Sequence, residues 1–147
     1  MIRNRVAAPM QAPLQPAPQE NDLLDPLWRL AGDLSQSRTL IVADHGLDVM
    51  CGLIRRGCLA ATVLRLGDKP DADDYNLVFV PYLTSAEAVI QLARRSLAPN
   101  GMLVVGVQDG EAASALARRL RLNGFSGVHS VRLPGMVLLR ADLRRVS

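Results

Sequence analysis

Aromatic residues are nearly missing from this chain: one Trp, two Tyr and two Phe in 147 residues. A nucleic-acid groove wants aromatic side chains on which bases can stack among its basic ones, so the scarcity argues against that partner. Cysteine is rarer still. Cys51 and Cys58 have no further cysteines at metal-site spacing and read as reduced, buried thiols rather than as a metal or redox pair. No segment approaches the roughly 20 apolar residues needed to span a bilayer. Pro9, Pro13, Pro16 and Pro18, set among Ala and Gln, break up any signal-like stretch near the start. The expectation is a cytoplasmic protein without a metal and without membrane contact. Lysine is confined to Lys69, so the excess of 17 basic over 14 acidic residues is carried by arginine. The arginines come in pairs: Arg55-Arg56, Arg94-Arg95, Arg118-Arg119 and Arg144-Arg145. Three of these pairs fall in the last turns of expected helices, where the helix dipole favours a cation.

What is present is apolar residue, 49% of the chain, enough to bury one core but not two. Residues 1–20, rich in Pro, Gln and Ala, are expected to form a disordered arm. Residues 21–147 are expected to form one domain. Leu23, Leu27, Leu30 and Leu34 recur at helical spacing beside Trp28, with Asp25-Pro26 in the first turn. Residues 39–43 form a short apolar run of the kind a central parallel strand requires. The helix after it starts near Asp48, turns Val49, Met50, Leu53 and Ile54 inward and stops at Gly57. Residues 59–66 read as a strand, 67–74 as a loop and 77–83 as a buried strand. Thr84 and Glu87 make a capping box for a helix that Pro99-Asn100-Gly101 ends. Met102 to Val107 is the next strand, and Asp109 and Glu111 open a helix that ends at Asn123-Gly124. Residues 128–133 and 136–141 close the chain as a hairpin, because Pro134 presets the first turn angle and Gly135 accepts the positive second one.

From Asp22 to Ala141 the chain resembles the class I S-adenosylmethionine-dependent methyltransferases, as a shortened and degenerate member. The residues that carry this are Tyr75-Asn76-Leu77-Val78-Phe79-Val80, similar to the family's "YDLV" strand, and Leu97-Ala98-Pro99-Asn100-Gly101-Met102-Leu103, similar to its "LkPGG.l" segment. Leu122-Asn123-Gly124-Phe125 and the hairpin after it are similar to the family's "l..aGF" helix end and antiparallel last strands. The resemblance implies an α/β, Rossmann-like sheet, mostly parallel, with a C-terminal antiparallel hairpin. Where the family inserts a helix, a strand and another helix, this chain has only about ten residues, Gly67 to Asn76. About ten extended residues reach roughly 33 Å, enough to return across one neighbouring strand without a helix. One strand and its flanking helices are therefore expected to be missing, which leaves strand 59–66 as an unprotected edge.

The same resemblance implies a cofactor turn after the first strand: an acid followed by alternate glycines that let the backbone lie against the ligand. Here the acid falls at Asp44, followed by His45, and one glycine stands at Gly46. The next two glycine positions hold Asp48 and Met50. A left-handed backbone at Asp48 would cost about 1 to 2 kcal/mol. Asp48 could attract the cofactor's cationic groups, but is read first as a helix N-cap. The ribose-holding acid expected after the second strand is replaced by Arg65, which accepts nothing, or by Asp68 in the loop. Phe79-Val80-Pro81-Tyr82 is similar to the Asp/Asn-Pro-Pro-Tyr motif of amino-group methyltransferases, yet Phe79 accepts no hydrogen bond. Pro81 and Tyr82 remain as substrate-side candidates, with Tyr82 a stacking or packing residue. His45 and His129 are the two possible general bases, since imidazole as a side chain suits proton transfer near neutral pH, and His129 is expected to be structural. No catalytic residue can be named. A receiver domain is disfavoured because Val80-Pro81 stands where the acceptor aspartate should be and no lysine lies in that region, and a phosphate cradle is weak with one glycine.

The expected function is a non-catalytic methyltransferase-like module, a pseudoenzyme that acts through protein association, as a homodimer or with another protein, and binds no cofactor. The alternative is a compact methyltransferase for a small molecule or protein that uses S-adenosylmethionine at Asp44, Gly46 and Asp68.

Overall fold

A computed structural model of the protein describes residues 20–70 and 74–144. The expected arm, apart from Glu20, lies outside the described residues. After a 3-10 turn at Glu20–Leu23 come α1 (Leu24–Ala31), β1 (Arg38–Val42), α2 (Leu47–Arg55), β2 (Ala60–Leu64) and β3 (Tyr75–Val80). They are followed by α3 (Ala86–Ser96), β4 (Leu97–Val107), α4 (Gly110–Leu122), β5 (Phe125–Leu133) and β6 (Met136–Leu143). The strands form one six-stranded sheet in the order β2-β1-β3-β4-β6-β5. β2, β1, β3 and β4 run parallel, and β6 and β5 are antiparallel to their neighbours. This is the α/β architecture anticipated above, with the closing hairpin longer at both ends.

Alternation along the strands divides the core in two. Leu40, Val42, Val78, Val80, Leu103 and Val105 face α3 and α4, and pack on Val89, Ile90, Leu116 and Leu120. Ile41, Leu77, Phe79 and Val104 face the other way, toward Leu24, Leu27, Val49 and Leu53 of α1 and α2. α1 ends at Gly32, whose φ of 86° a side chain would strain, so Leu34 is buried from the turn beyond the helix. In that turn the Ser35 amide donates to Asp33 Oδ1 at 2.9 Å, which holds the Asp33 carboxyl below its ordinary pKa.

Among its described residues the connection from β2 to β3 contains no helix. It leaves β2 through Leu64 and Leu66, which pack against the cluster that holds Leu40 and Val42. At its far end Asp74 pairs with Arg38, whose guanidinium sits 5.7 Å from the Tyr75 ring centre, and the Arg38 amide donates to Asn76 Oδ1 at 2.8 Å. The start of β1 thus holds the incoming end of the crossover.

Four local expectations are corrected. α3 is capped by Ser85, which accepts from the Ala88 amide at 3.3 Å, and not by Thr84. Glu87 then falls one position short of the capping-box place. α3 stops at Ser96, and β4 begins at Leu97 rather than at Met102, because the Pro99-Asn100 step is absorbed as an irregularity in the β3–β4 pairing. Asp48 is not an N-cap: it is the second residue of α2, and the capping position is Gly46, without a side-chain cap. Finally, Cys58 is buried but Cys51 only half so, and both thiols are free.

Candidate functional site

In an open α/β sheet a ligand sits beyond the carboxyl ends of the strands, where the strand order reverses. Here that place lies between β1, whose successor β2 is on one side, and β3, whose successor β4 is on the other. A cleft of about 230 Å³ opens there, lined by Val42, Ala43, Asp44, His45, Leu66, Val80, Tyr82 and Thr84. β1 delivers Asp44 and His45, both exposed, just past its last ladder bond, in which the Ala43 amide donates to Leu64 O at 3.0 Å. β3 delivers Val80 and, past buried Pro81, a 39% exposed Tyr82.

The backbone beyond Asp44 is not the open turn that the resemblance implies. Gly46 has a φ of −90°, available to any residue, and α2 begins immediately after it. Its lack of a side chain serves packing instead: a Cβ there would lie 3.0 Å from Val63 Cγ1 and 3.1 Å from Ile41 Cγ2. Asp48 is in helical conformation and exposed, so the left-handed strain considered from sequence does not arise. On the far wall the position after β2 is taken by Leu66, half-buried and apolar, while Asp68 is exposed and absent from the lining.

Of the candidates read from sequence, the fold brings Asp44, His45 and Tyr82 to one cleft. Gly46 and Pro81, both buried, and Asp48 and Asp68, both exposed, are not part of its lining. His129 is exposed on β5, remote from the cleft. Sequence reasoning missed Leu66 and Thr84. Leu66 has a signal in retrospect, as the apolar residue beyond a strand at a place where a carboxylate was sought. Thr84 was assigned to the helix cap that Ser85 makes. Among the described residues no three His, Cys, Asp or Glu side chains converge as a metal site, and no helix is long and apolar enough to cross a membrane.

No protein-family model matches the chain, and no curated protein matches its sequence. Solved structures do match. An S-adenosylmethionine-dependent methyltransferase from Archaeoglobus fulgidus superposes with a TM-score of 0.63 at 9% identity, over 84% of this chain and 94% of that one. An S-adenosylmethionine-dependent O-methyltransferase from Thermotoga maritima gives 0.61 at 10%, over 88% and 73%. Precorrin-6y C5,15-methyltransferase from Geobacter metallireducens gives 0.60 at 11%, over 84% and 89%. The chain has the Rossmann-like class I methyltransferase fold. At these identities the likeness is one of fold.

Proposed function

We propose that this protein is a methyltransferase-like module that no longer holds the cofactor and works by association, with a second copy of itself as the partner. The observation that carries the first part is the cleft. At about 230 Å³ it is smaller than the roughly 300 to 1,000 Å³ of a typical small-molecule site. Leu66 offers no acceptor for ribose hydroxyls, and α2 begins where a glycine turn would let a ligand approach the backbone.

The second part rests on the β2 edge of the sheet, which no described strand pairs. β2 ends the strand order, and its sequence, Ala60-Ala61-Thr62-Val63-Leu64, has neither charge nor proline to discourage pairing. Beside it three apolar residues face solvent: Leu47 (62% exposed), Leu59 (57%) and Ile54 (46%). A two-fold axis would pair β2 with its own copy in antiparallel fashion and cover both patches with one surface. Free thiols fit the reducing cytoplasm as its location.

Isothermal titration with S-adenosylmethionine and S-adenosylhomocysteine tests the cofactor reading. No heat beyond dilution is expected from either, and micromolar binding of either would sink it. One observation favours the alternative of a compact methyltransferase: Asp44, His45 and Tyr82 do meet at the reversal of strand order. Binding in the same titration is what that alternative requires.

A further inference from the structure

The fold does not spread its arginines evenly. On the α1/α2 side they are balanced by carboxylates: Arg56 pairs with Asp25 at 2.5 Å, and Asp33 and Asp48 lie exposed nearby. On the α3/α4 side there are two grooves, one beyond the C-terminal end of α4 and one along its length from Gly110 to Arg121. One, of about 600 Å³, lies between the ends of α3, α4 and β6, and its lining includes Arg94, Arg95 and Arg144. The other, of about 300 Å³, lies between α4 and β5, and its lining includes Arg121 and Arg132. Neither lining contains a carboxylate. Arg118 is exposed on α4, and its helical position places it on the outer face between the two grooves.

α3, α4 and the α4 cap carry three carboxylates, two of them engaged. Glu87 lies 3.9 Å from Arg119, Asp109 caps α4 by accepting from the Ala112 amide at 2.8 Å, and Glu111 is in the first turn. Asp142 belongs to the α1/α2 face, where it pairs with Arg140, which donates to Leu30 O. Cations in a helix's last turn complement its dipole, which accounts for Arg94, Arg95 and Arg121. It does not account for Arg132 on β5 or for Arg144 beyond β6.

We propose that the α3/α4 face binds the phosphate backbone of duplex nucleic acid without reading its sequence. The guanidinium fork matches phosphate oxygens bidentately. α4 is 13 residues long, about 20 Å, over which a duplex presents roughly a dozen phosphates. The shortage of aromatics, which weighs against a stacking groove, selects the duplex here: neither lining contains an aromatic ring, so bases are left stacked on each other. This inference is independent of the cofactor and dimer readings.

The test is fluorescence anisotropy with the full chain, using labelled DNA and RNA duplexes of about two helical turns, the corresponding single strands, and a poly-glutamate peptide. Duplex should bind more tightly than single strand or peptide, and affinity should fall with salt on a log–log slope of about −4 between roughly 50 and 200 mM. Arg95→Glu with Arg144→Glu should weaken duplex binding at least about tenfold and flatten the slope by about 2. Arg29→Glu with Arg55→Glu, equal in charge but on the other face, should leave it unchanged. If the first pair fails to fold, Arg118→Gln with Arg132→Gln should weaken binding in the same direction. The proposal is overturned by absence of duplex binding at the lowest salt, by tighter binding of the single strands or the peptide, or by equal losses in variants of the two faces.

Discussion

Gly106 shows how much one residue can hold. It sits in β4, and a Cβ on it would fall 1.9 Å from Pro81 O and 2.4 Å from the Met136 Cε methyl. Its own carbonyl accepts from the Leu83 amide at 2.8 Å, so the chain leaving β3 is drawn tightly over β4 before Tyr82 enters the cleft. Gly106→Ala must therefore push backbone and not merely a side chain. A loss of about 1 to 3 kcal/mol is expected in urea unfolding, larger than for Gly52→Ala, whose new methyl meets only the flexible end of Leu24. An equal loss in the two variants would contradict this account. At this scale the sequence was only half legible. Asp44, His45 and Tyr82 could be placed at the mouth of the sheet because strand ends follow from apolar runs. The roles of Gly46, Gly106 and Leu66 depend on what lies across from them, which spacing along the chain does not encode.

Among the elements, strands and helices were readable where periodicity was strong, and their ends where a single side chain decides. Pro134-Gly135 makes the expected turn, with Gly135 at a φ of 79°. The start of α3 was misplaced by one residue because Thr84 and Ser85 are both competent caps, and only the extended backbone at Ser85, with φ −139° and ψ 110°, selects between them. Thermal melts separate the two: Ser85→Ala should cost about 1 kcal/mol and Thr84→Ala a few tenths, and the reverse order would restore the capping box. The early start of β4 was hidden by Pro99 and Asn100, residues that normally end structure. Here Asn100 takes the left-handed conformation, with φ 66°, and the strand carries on through it.

For the whole molecule, the absence of a helix-strand-helix insertion was visible as a turn-rich stretch of about ten residues where such a unit would not fit, and the strand order agrees with it. What the sequence could not supply is which surface the omission uncovers. α1 packs on α2 and toward β4 and β6, so it leaves the β2 edge open. Sedimentation of the full chain is expected to give twice the mass of one copy. Leu47→Lys with Leu59→Lys, at exposed positions that do not hold the core, is expected to give single copies with an unchanged melting temperature. A monomeric parent, or a dimer that survives both lysines, would remove the β2 edge as the contact.

The missing insertion also bears on how the chain finds its shape. Arg38 and Asn76, joined at the base of the neighbouring strands β1 and β3, are only 38 residues apart. The entropy lost in bringing distant segments together grows with the logarithm of their separation, about 0.6 kcal/mol for each doubling. A sheet centre closed over so short a span is easier to nucleate, so the cover given up at the rim is offset in part by a less demanding search at the middle.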